Sequence, residues 1–380
     1  MAETKQDIKP TQEETTEHRI SPKVAVIVIN WNGWRDSVEC LESLQCLTYP
    51  NYQVIVVDNG STDGSVERIK AWARGEIPVE SKSFDYDSTS KPVQWIEYDR
   101  AMAKAGRIVE KVAQSVKLPF SCKLVLIQAG ENLGFAGGSN IGIEYALTHN
   151  FDYVFLLNND AIVATDTLHE LVLGMENSPH LAAATAKIYY YDEPERIANA
   201  GGRLTITGSR KYYEMNRIEE SRINKKCVTP VTYATGCALL IRASVLKEFG
   251  PLSTDFFHGE EDIEFSLRMK RLGLKMACVH SAHVYHKIGR SINKLLEGRL
   301  DAIFLHYLNR FVHMKRHYRR FYWRLWRYGA LAYILPMLYR RYKVDHGSLL
   351  KLARNLLAAS EKYDRVTKDV VLNIQRDGLL

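Results

Sequence analysis

The side chains of this sequence that could do chemistry stand where apolar runs break. In Phe155-Leu-Leu-Asn-Asn-Asp160-Ala-Ile-Val163 an apolar run gives way to Asn158, Asn159 and Asp160 and then resumes. A buried strand ending there leaves a carboxylate at its carboxyl edge. Open α/β sheets collect ligands at that edge, so Asp160 is placed to hold a metal ion or a phosphate. Asp58 ends the run Tyr52-Gln-Val-Ile-Val-Val57 in the same way, where a base or ribose could be hydrogen-bonded. Taken alone, either stretch reads equally as a turn rich in Asn, Asp and Gly. Glu260, Glu261 and Asp262 open a helical pattern that closes at Gly273, and a helix dipole favours acids in a first turn without any function. His280, His283 and His286 follow a strand-like stretch, and by themselves they do not make a metal site.

The elements that must position these residues are legible in order. Val24-Ala-Val-Ile-Val-Ile-Asn30 is a β-branched run of the kind covered on both faces of a sheet, and Asn32-Gly33 turns the chain. Val38, Leu41 and Leu44 then recur at helical spacing, the strand ending at Asp58 follows, and a second helix begins near Ser65. Strand, helix, strand, helix at this spacing implies a parallel crossover unit. Residues 76–122 are polar and weakly periodic and read as an insertion, with a helix expected from about Asp99 to Val116. The pattern resumes at Lys123-Leu-Val-Leu-Ile127. Glu131-Asn-Leu-Gly134-Phe-Ala-Gly137-Gly138-Ser-Asn140 then opens a helix whose glycines would let backbone N–H groups approach a phosphate, although Ala136 breaks the dinucleotide pattern G-x-G-x-x-G. Further on, Leu181–Tyr191 and Arg203–Thr207 read as strands and Ala243–Phe249 as a short helix.

Bulk properties narrow the class. A chain of 380 residues buries a large core, and its six scattered cysteines include no C-x-x-C pair, which points to reduced thiols in a cytosolic compartment. Residues 1–22 are polar, with no signal-peptide core, and read as a disordered leader. No run approaches the roughly 20 apolar residues of a membrane span. The net charge of +7 is concentrated: between Arg310 and Lys343 there are ten Lys or Arg and no acid.

Taken in order, the motifs Val28-Ile-Asn-Trp-Asn32, Val56-Val-Asp58-Asn-Gly-Ser61, Asn132 to Asn140, Leu157-Asn-Asn-Asp160, Gly236-Cys-Ala, Glu261-Asp262 and Val284-Tyr-His286 resemble the family-2 glycosyltransferases, especially the rhamnosyltransferase-like branch. The likeness runs from Val24 to Ser291. It implies a GT-A fold, Rossmann-like with a mainly parallel sheet, and inversion at the anomeric carbon. It also implies a nucleoside-diphosphate-sugar donor (dTDP-, UDP- or GDP-linked) and Mg²⁺ or Mn²⁺. Residue by residue, Asp58 would contact base or ribose, Asp160 and His286 would serve the metal and diphosphate, and Asp262 would be the base with Glu261 beside it. Asn30, Asn132, Gly134, Gly137 and Asn159 would complete the donor side. Asn158 stands where the Asp-x-Asp motif has its first acid, which leaves one carboxylate for the cation. Mg²⁺ keeps several waters beside substrate phosphates, so one carboxylate is adequate.

The expected organisation is a leader at 1–22, a catalytic domain at 23–295 and a basic helical region at 296–380. The catalytic domain divides into a donor half at 23–165 and an acceptor half at 166–295. From Phe311, apolar residues at Met314, Tyr318, Phe321, Leu325 and Tyr328 face away from Arg316, Arg319, Arg320, Arg324 and Arg327. That is a basic amphipathic helix suited to an anionic membrane surface, with packing on the domain or an oligomer contact as competing readings and nucleic acid set aside. The expected function is transfer of a sugar, rhamnose by the branch it resembles, to a growing glycan, lipid-linked if the tail meets a membrane, at the inner face of the cell membrane. A nucleotide-sugar-binding protein without turnover and a nucleotidyltransferase are the alternatives.

Overall fold

The computed structural model describes residues 21–105, 124–205, 210–219, 227–257, 259–288 and 300–376. Most of the expected leader and the later part of the insertion lie outside them, as does Ser291.

The strands are β1 (Val24–Asn30), β2 (Tyr52–Asp58), β3 (Trp95–Asp99), β4 (Leu124–Gln128), β5 (Tyr153–Asn158), β6 (Ala161–Val163), β7 (Leu181–Tyr190), β8 (Ile197–Asn199), β9 (Gly202–Leu204), β10 (Arg210–Tyr212), β11 (Val228–Val231), β12 (Ala238–Arg242) and β13 (Lys275–His286). The helices are α1 (Trp34–Gln45), α2 (Ser65–Arg74), α3 (Arg100–Ala105), α4 (Gly134–Thr148), α5 (Thr167–Glu176), α6 (Ala243–Phe249), α7 (Glu261–Arg271), α8 (Leu300–Lys315), α9 (Arg320–Tyr342), α10 (His346–Lys362) and α11 (Lys368–Arg376).

The central sheet runs β11-β13-β7-β12-β5-β1-β2-β4-β3, with β6 and β8 paired to β13 and β7. Strands β5, β1, β2, β4 and β3 are parallel. Antiparallel β12 sits between β5 and β7, which makes the sheet mixed. β1 shows why the layers form. Its side chains alternate, Val24, Val26 and Val28 joining one apolar layer and Ala25 and Ile27 the other, so a strand without polar alternation is one buried on both faces. This is the GT-A-like α/β architecture, followed by a helical C-terminal region.

Three expectations change. The insertion contributes β3, a parallel edge strand too short to stand out as periodic, and α3 occupies only the start of the expected helix, the rest lying outside the described residues. Glu260 is not part of a helical first turn. It precedes α7 in a left-handed conformation, φ 71°. The basic segment is not one helix, because α8 and α9 are separated at residues 316–319.

α9 also turns the other way from the expected face. Trp323, Leu331, Ile334 and Leu338 point inward, while Phe321, Leu325 and Tyr328 face solvent. Several cations of the basic segment find acids outside it. Arg320, Arg324 and Arg327 converge on Glu361, and Arg316 pairs with Asp255. The C-terminal helices share a core of Phe304, Leu308, Phe311, Leu338, Leu356 and Val366, which includes Phe256 from the catalytic unit. Among the described residues no helix is long and apolar enough to cross a membrane, and the described cysteines are free.

Candidate active site

Parallel register brings the first half of the site together. Asn30 pairs with Asp58, Asp58 with Gln128, and Asn158 with Ile29, so the polar residues stand in a row along the carboxyl edge of β5, β1, β2 and β4. Asn30 is fully buried: its amide donates to Asp58 Oδ1 (2.8 Å) and Ser61 Oγ (3.0 Å), and its Oδ1 accepts from Ser37 Oγ (2.7 Å). It thereby orients Asp58, whose other oxygen accepts from the Ser61 N–H at 3.0 Å. Asn159 extends the network by donating to Ser37 Oγ at 3.0 Å. Ser37 had no signal in the sequence, since a serine inside an amphipathic helix is unremarkable.

The glycine-rich loop docks on the same edge. Asn59 donates to Asn132 Oδ1 (3.2 Å) and to the Gly134 carbonyl (3.1 Å), and Asn132 Oδ1 accepts from the Gly134 N–H at the start of α4 (2.9 Å). Gly134 has a positive φ, and a Cβ there would lie 2.1 Å from the Phe257 carbonyl oxygen, so only glycine lets the acidic segment approach this loop. Gly137 packs beside Leu133 in the first turn of the helix.

Asp160 and His286 meet directly, with Nε2 and Oδ1 2.9 Å apart and both side chains mostly covered. Burial alone would raise the Asp160 carboxyl, but the imidazole hydrogen bond and charge outweigh it and hold the group below its ordinary range. Burial would lower the His286 imidazole, yet Cys237 and Asp160 together raise it well above its ordinary value. The other two histidines are used elsewhere. His280 reaches Thr229 Oγ1 at 2.9 Å and His283 the His280 carbonyl at 3.1 Å, and a register shift between Val279 and His283 interrupts the alternation that would set His280 and His286 on one face. The Asp160 carboxylate is an oxygen ligand of the kind Mg²⁺ or Mn²⁺ takes beside water and phosphate, and the His286 imidazole stands next to it. Among the described residues no cluster of three or more such groups is preassembled for a metal.

Asp262 reaches this centre through the turn before β12. The Gly236 Cβ position is 3.7 Å from Asp262 Cβ, Cys237 hydrogen-bonds the His286 side chain, and the Cys237 carbonyl accepts from the Asn158 N–H at 2.9 Å. Asp262 and the Asp160–His286 pair thus flank the turn at Gly236-Cys237. Tyr233 donates to Asp262 Oδ2 at 2.5 Å, and Arg210 lies 3.9 Å from both Asp262 and Glu260. Burial, then the Asp262 charge, push the Tyr233 phenol well above its ordinary value, so it remains a donor. Tyr233 and Arg210 escaped the sequence reading because no spacing relates them to Asp262. Glu261 lies within the cover of the fold with Oε2 unpartnered, and burial, then Asp262, raise its carboxyl above the carboxylate range.

The pattern of the family described as "Glycosyltransferase like family 2" matches residues 103–300, and that of "Glycosyl transferase family 2" matches residues 25–86. The low-salt glycan biosynthesis hexosyltransferase Agl10 of Haloferax volcanii is 26% identical over 220 residues, 57% of this chain and 69% of that protein. The galactofuranosyltransferase GlfT1 of Mycolicibacterium smegmatis is 25% identical over 172 residues, 45% of this chain, which spans only 56% of that relative. Among solved structures, a mannosyltransferase of Pyrobaculum calidifontis in complex with GDP-Man and Mn²⁺ is 16% identical with a TM-score of 0.48, covering 91% of this chain and 88% of its own. With one family pattern alone spanning more than half of its length, the chain belongs to glycosyltransferase family 2.

Proposed function

We propose that the protein is an inverting glycosyltransferase that moves a hexose from a nucleoside-diphosphate sugar to a hydroxyl of a growing glycan. The observation that carries this reading is the turn at Gly236-Cys237, which has Asp262 on one side and Asp160 with His286 on the other. Asp58 offers a carboxylate, pre-oriented by Asn30, to the ribose or base. Asp160 and His286 would hold Mg²⁺ or Mn²⁺, which when bound supplies positive charge against the departing diphosphate. Asp262 accepts the proton of the attacking hydroxyl, and Tyr233 and Arg210 fix its carboxylate. Glu261 stands beside it as an orienting neighbour, its carboxyl raised by burial and then by the Asp262 charge. One base on the acceptor side suits direct displacement, which inverts the anomeric centre, because a nucleoside diphosphate leaves without needing a proton.

Rhamnose is the sugar the motif set favours. Incubating dTDP-, UDP- and GDP-linked sugars with Mg²⁺ or Mn²⁺ and following the products tests the reading. Release of nucleoside diphosphate is expected, pyrophosphate would make the protein a nucleotidyltransferase, and binding without release would leave a sugar-nucleotide receptor, the reading that Asn158 favours.

The acceptor is read as lipid-linked because α9 carries an exposed stripe. Phe321, Tyr322, Leu325, Tyr328, Tyr333 and Tyr339 are each about half or more exposed, along roughly 27 Å of helix at 1.5 Å per residue. Arg319, Arg340 and Lys343 flank it, without ion-pair partners among the described residues. Interfacial aromatics beside free cations suit an anionic bilayer surface. The protein is expected to sediment with anionic liposomes at low salt and Leu325→Asp with Tyr328→Asp to abolish it; failure of the wild type to sediment removes the membrane.

A further inference from the structure

We propose that the C-terminal helical region positions the base of the reaction, with Arg310 and His313 of α8 closing on Glu260 so that Asp262, two residues on, faces the end of the sheet. This rests on the assignment of Asp262 above and makes Glu260, Arg310 and His313 positioning residues.

Glu260 carries the first observation. A buried non-glycine residue at φ 71° persists only where its surroundings over-determine it. An acid before a helix ordinarily accepts from that helix's own first N–H groups, yet the Glu260 side chain makes no such bond. It points across to α8, where Arg310 Nε lies 3.0 Å from Oε1 and His313 Nδ1 2.9 Å from Oε2. Burial would raise this carboxyl, but Arg310 and His313 overcome that and hold it well below the ordinary range. α8 is itself immobilised through Leu308, Phe311 and Val312 in the C-terminal core.

The segment leading to Glu260 is held from the same side. Phe257 N–H donates to the Val366 carbonyl and Val366 N–H to the Asp255 carbonyl, both at 2.8 Å. Arg316 meets Asp255 Oδ2 at 2.7 Å. The Phe257 carbonyl rests on Gly134 of the donor loop. Asp255, Phe257 and Glu260 are thus each tied to the C-terminal region, and Arg210 links the Glu260 position to Asp262.

A plain structural staple and a positioning device differ in what they move. Glu260→Gly isolates the two, because glycine adopts a positive φ without strain and only the anchor is lost. Transfer by Glu260→Gly is expected to fall about 10–100-fold in kcat, the scale of a misplaced reacting group, with donor KM within about twofold of wild type. His313→Asn, which keeps a side-chain N–H donor near Nδ1, is expected to retain most of kcat, and His313→Phe to lose it. Should Glu260→Gly fail to fold, the His313→Asn and His313→Phe pair carries the same comparison. Wild-type kcat in folded Glu260→Gly, or in His313→Phe, overturns the proposal. So does a fall in kcat, donor affinity and melting temperature together, restored in none of the three by His313→Asn. A wild-type protein that turns over no donor sinks the base assignment and the positioning role with it, and is recognised because it precedes any variant.

Discussion

The two sides of the cleft are held by different means. On the donor side, Asn30, Asp58 and Asn158 are delivered by parallel strands whose register leaves them adjacent, and a short chain of hydrogen bonds through Ser37 and Ser61 finishes the arrangement. On the proposed acceptor side, Asp262 lies in the first turn of a helix whose preceding residue, Glu260, is anchored 50 and 53 residues away, by Arg310 and His313. Sheet register positions side chains as a consequence of folding the core, whereas a loop needs clamps of its own. Changes on the donor side should therefore touch chemistry and spare stability, and changes in the C-terminal helices should touch both.

The largest expected effect lies on the donor side. Asp160→Ala removes the one carboxylate of the candidate cation site and should lower metal-stimulated transfer by about 10²–10³-fold, the scale of losing a charge-stabilising group, with the melting temperature nearly unchanged. A large drop in melting temperature would make Asp160 a structural partner of His286 and erase the contrast.

Phe311→Ala comes next. Phe311 is fully buried in the C-terminal core and its carbonyl accepts from the Trp323 indole at 2.8 Å. The cavity should cost about 3–5 kcal/mol, read from the urea midpoint, and kcat should fall further than donor affinity. Loss of donor affinity instead would place α8 on the wrong side of the comparison.

The smallest effect is electrostatic. Glu361 collects Arg320, Arg324 and Arg327, and the Arg324 hydrogen bond leads in holding its carboxyl down to about 2. A carboxylate depressed in the folded state stabilises above its unfolded value of about 4.3, and that contribution is lost as pH falls toward about 2. Glu361→Gln should cost at most about 1 kcal/mol at neutral pH and flatten the acid limb of the stability profile, measured by denaturation at pH 7 and pH 3. An unchanged acid limb would mean that the arginines pair with nothing in solution.

Much of the donor side was legible in the sequence because strands end audibly: Val57 to Asp58 and Leu157 to Asn158 are breaks from apolar to polar that register turns into neighbours. The central sheet followed from the same runs. What stayed hidden depends on contacts between distant segments. Nothing in Glu260-Glu261-Asp262 distinguishes a buried anchor from two helical residues, since the difference lies in Arg310 and His313. Tyr233 and Arg210 were hidden for the same reason. The orientation of α9 is not legible because its apolar residues cover most of its circumference, and it is the burial of Trp323, seated under Arg327 at 3.8 Å, with Leu331, Ile334 and Leu338 that shows which side faces in.

The most direct test of the account is Asp262→Asn, assayed for transfer and titrated with the sugar nucleotide in the same buffer. Transfer should fall by at least about 10²-fold while donor affinity stays within about twofold of wild type. Turnover near the wild-type rate, or donor affinity lost in step with turnover, would contradict a base on the acceptor side of the cleft.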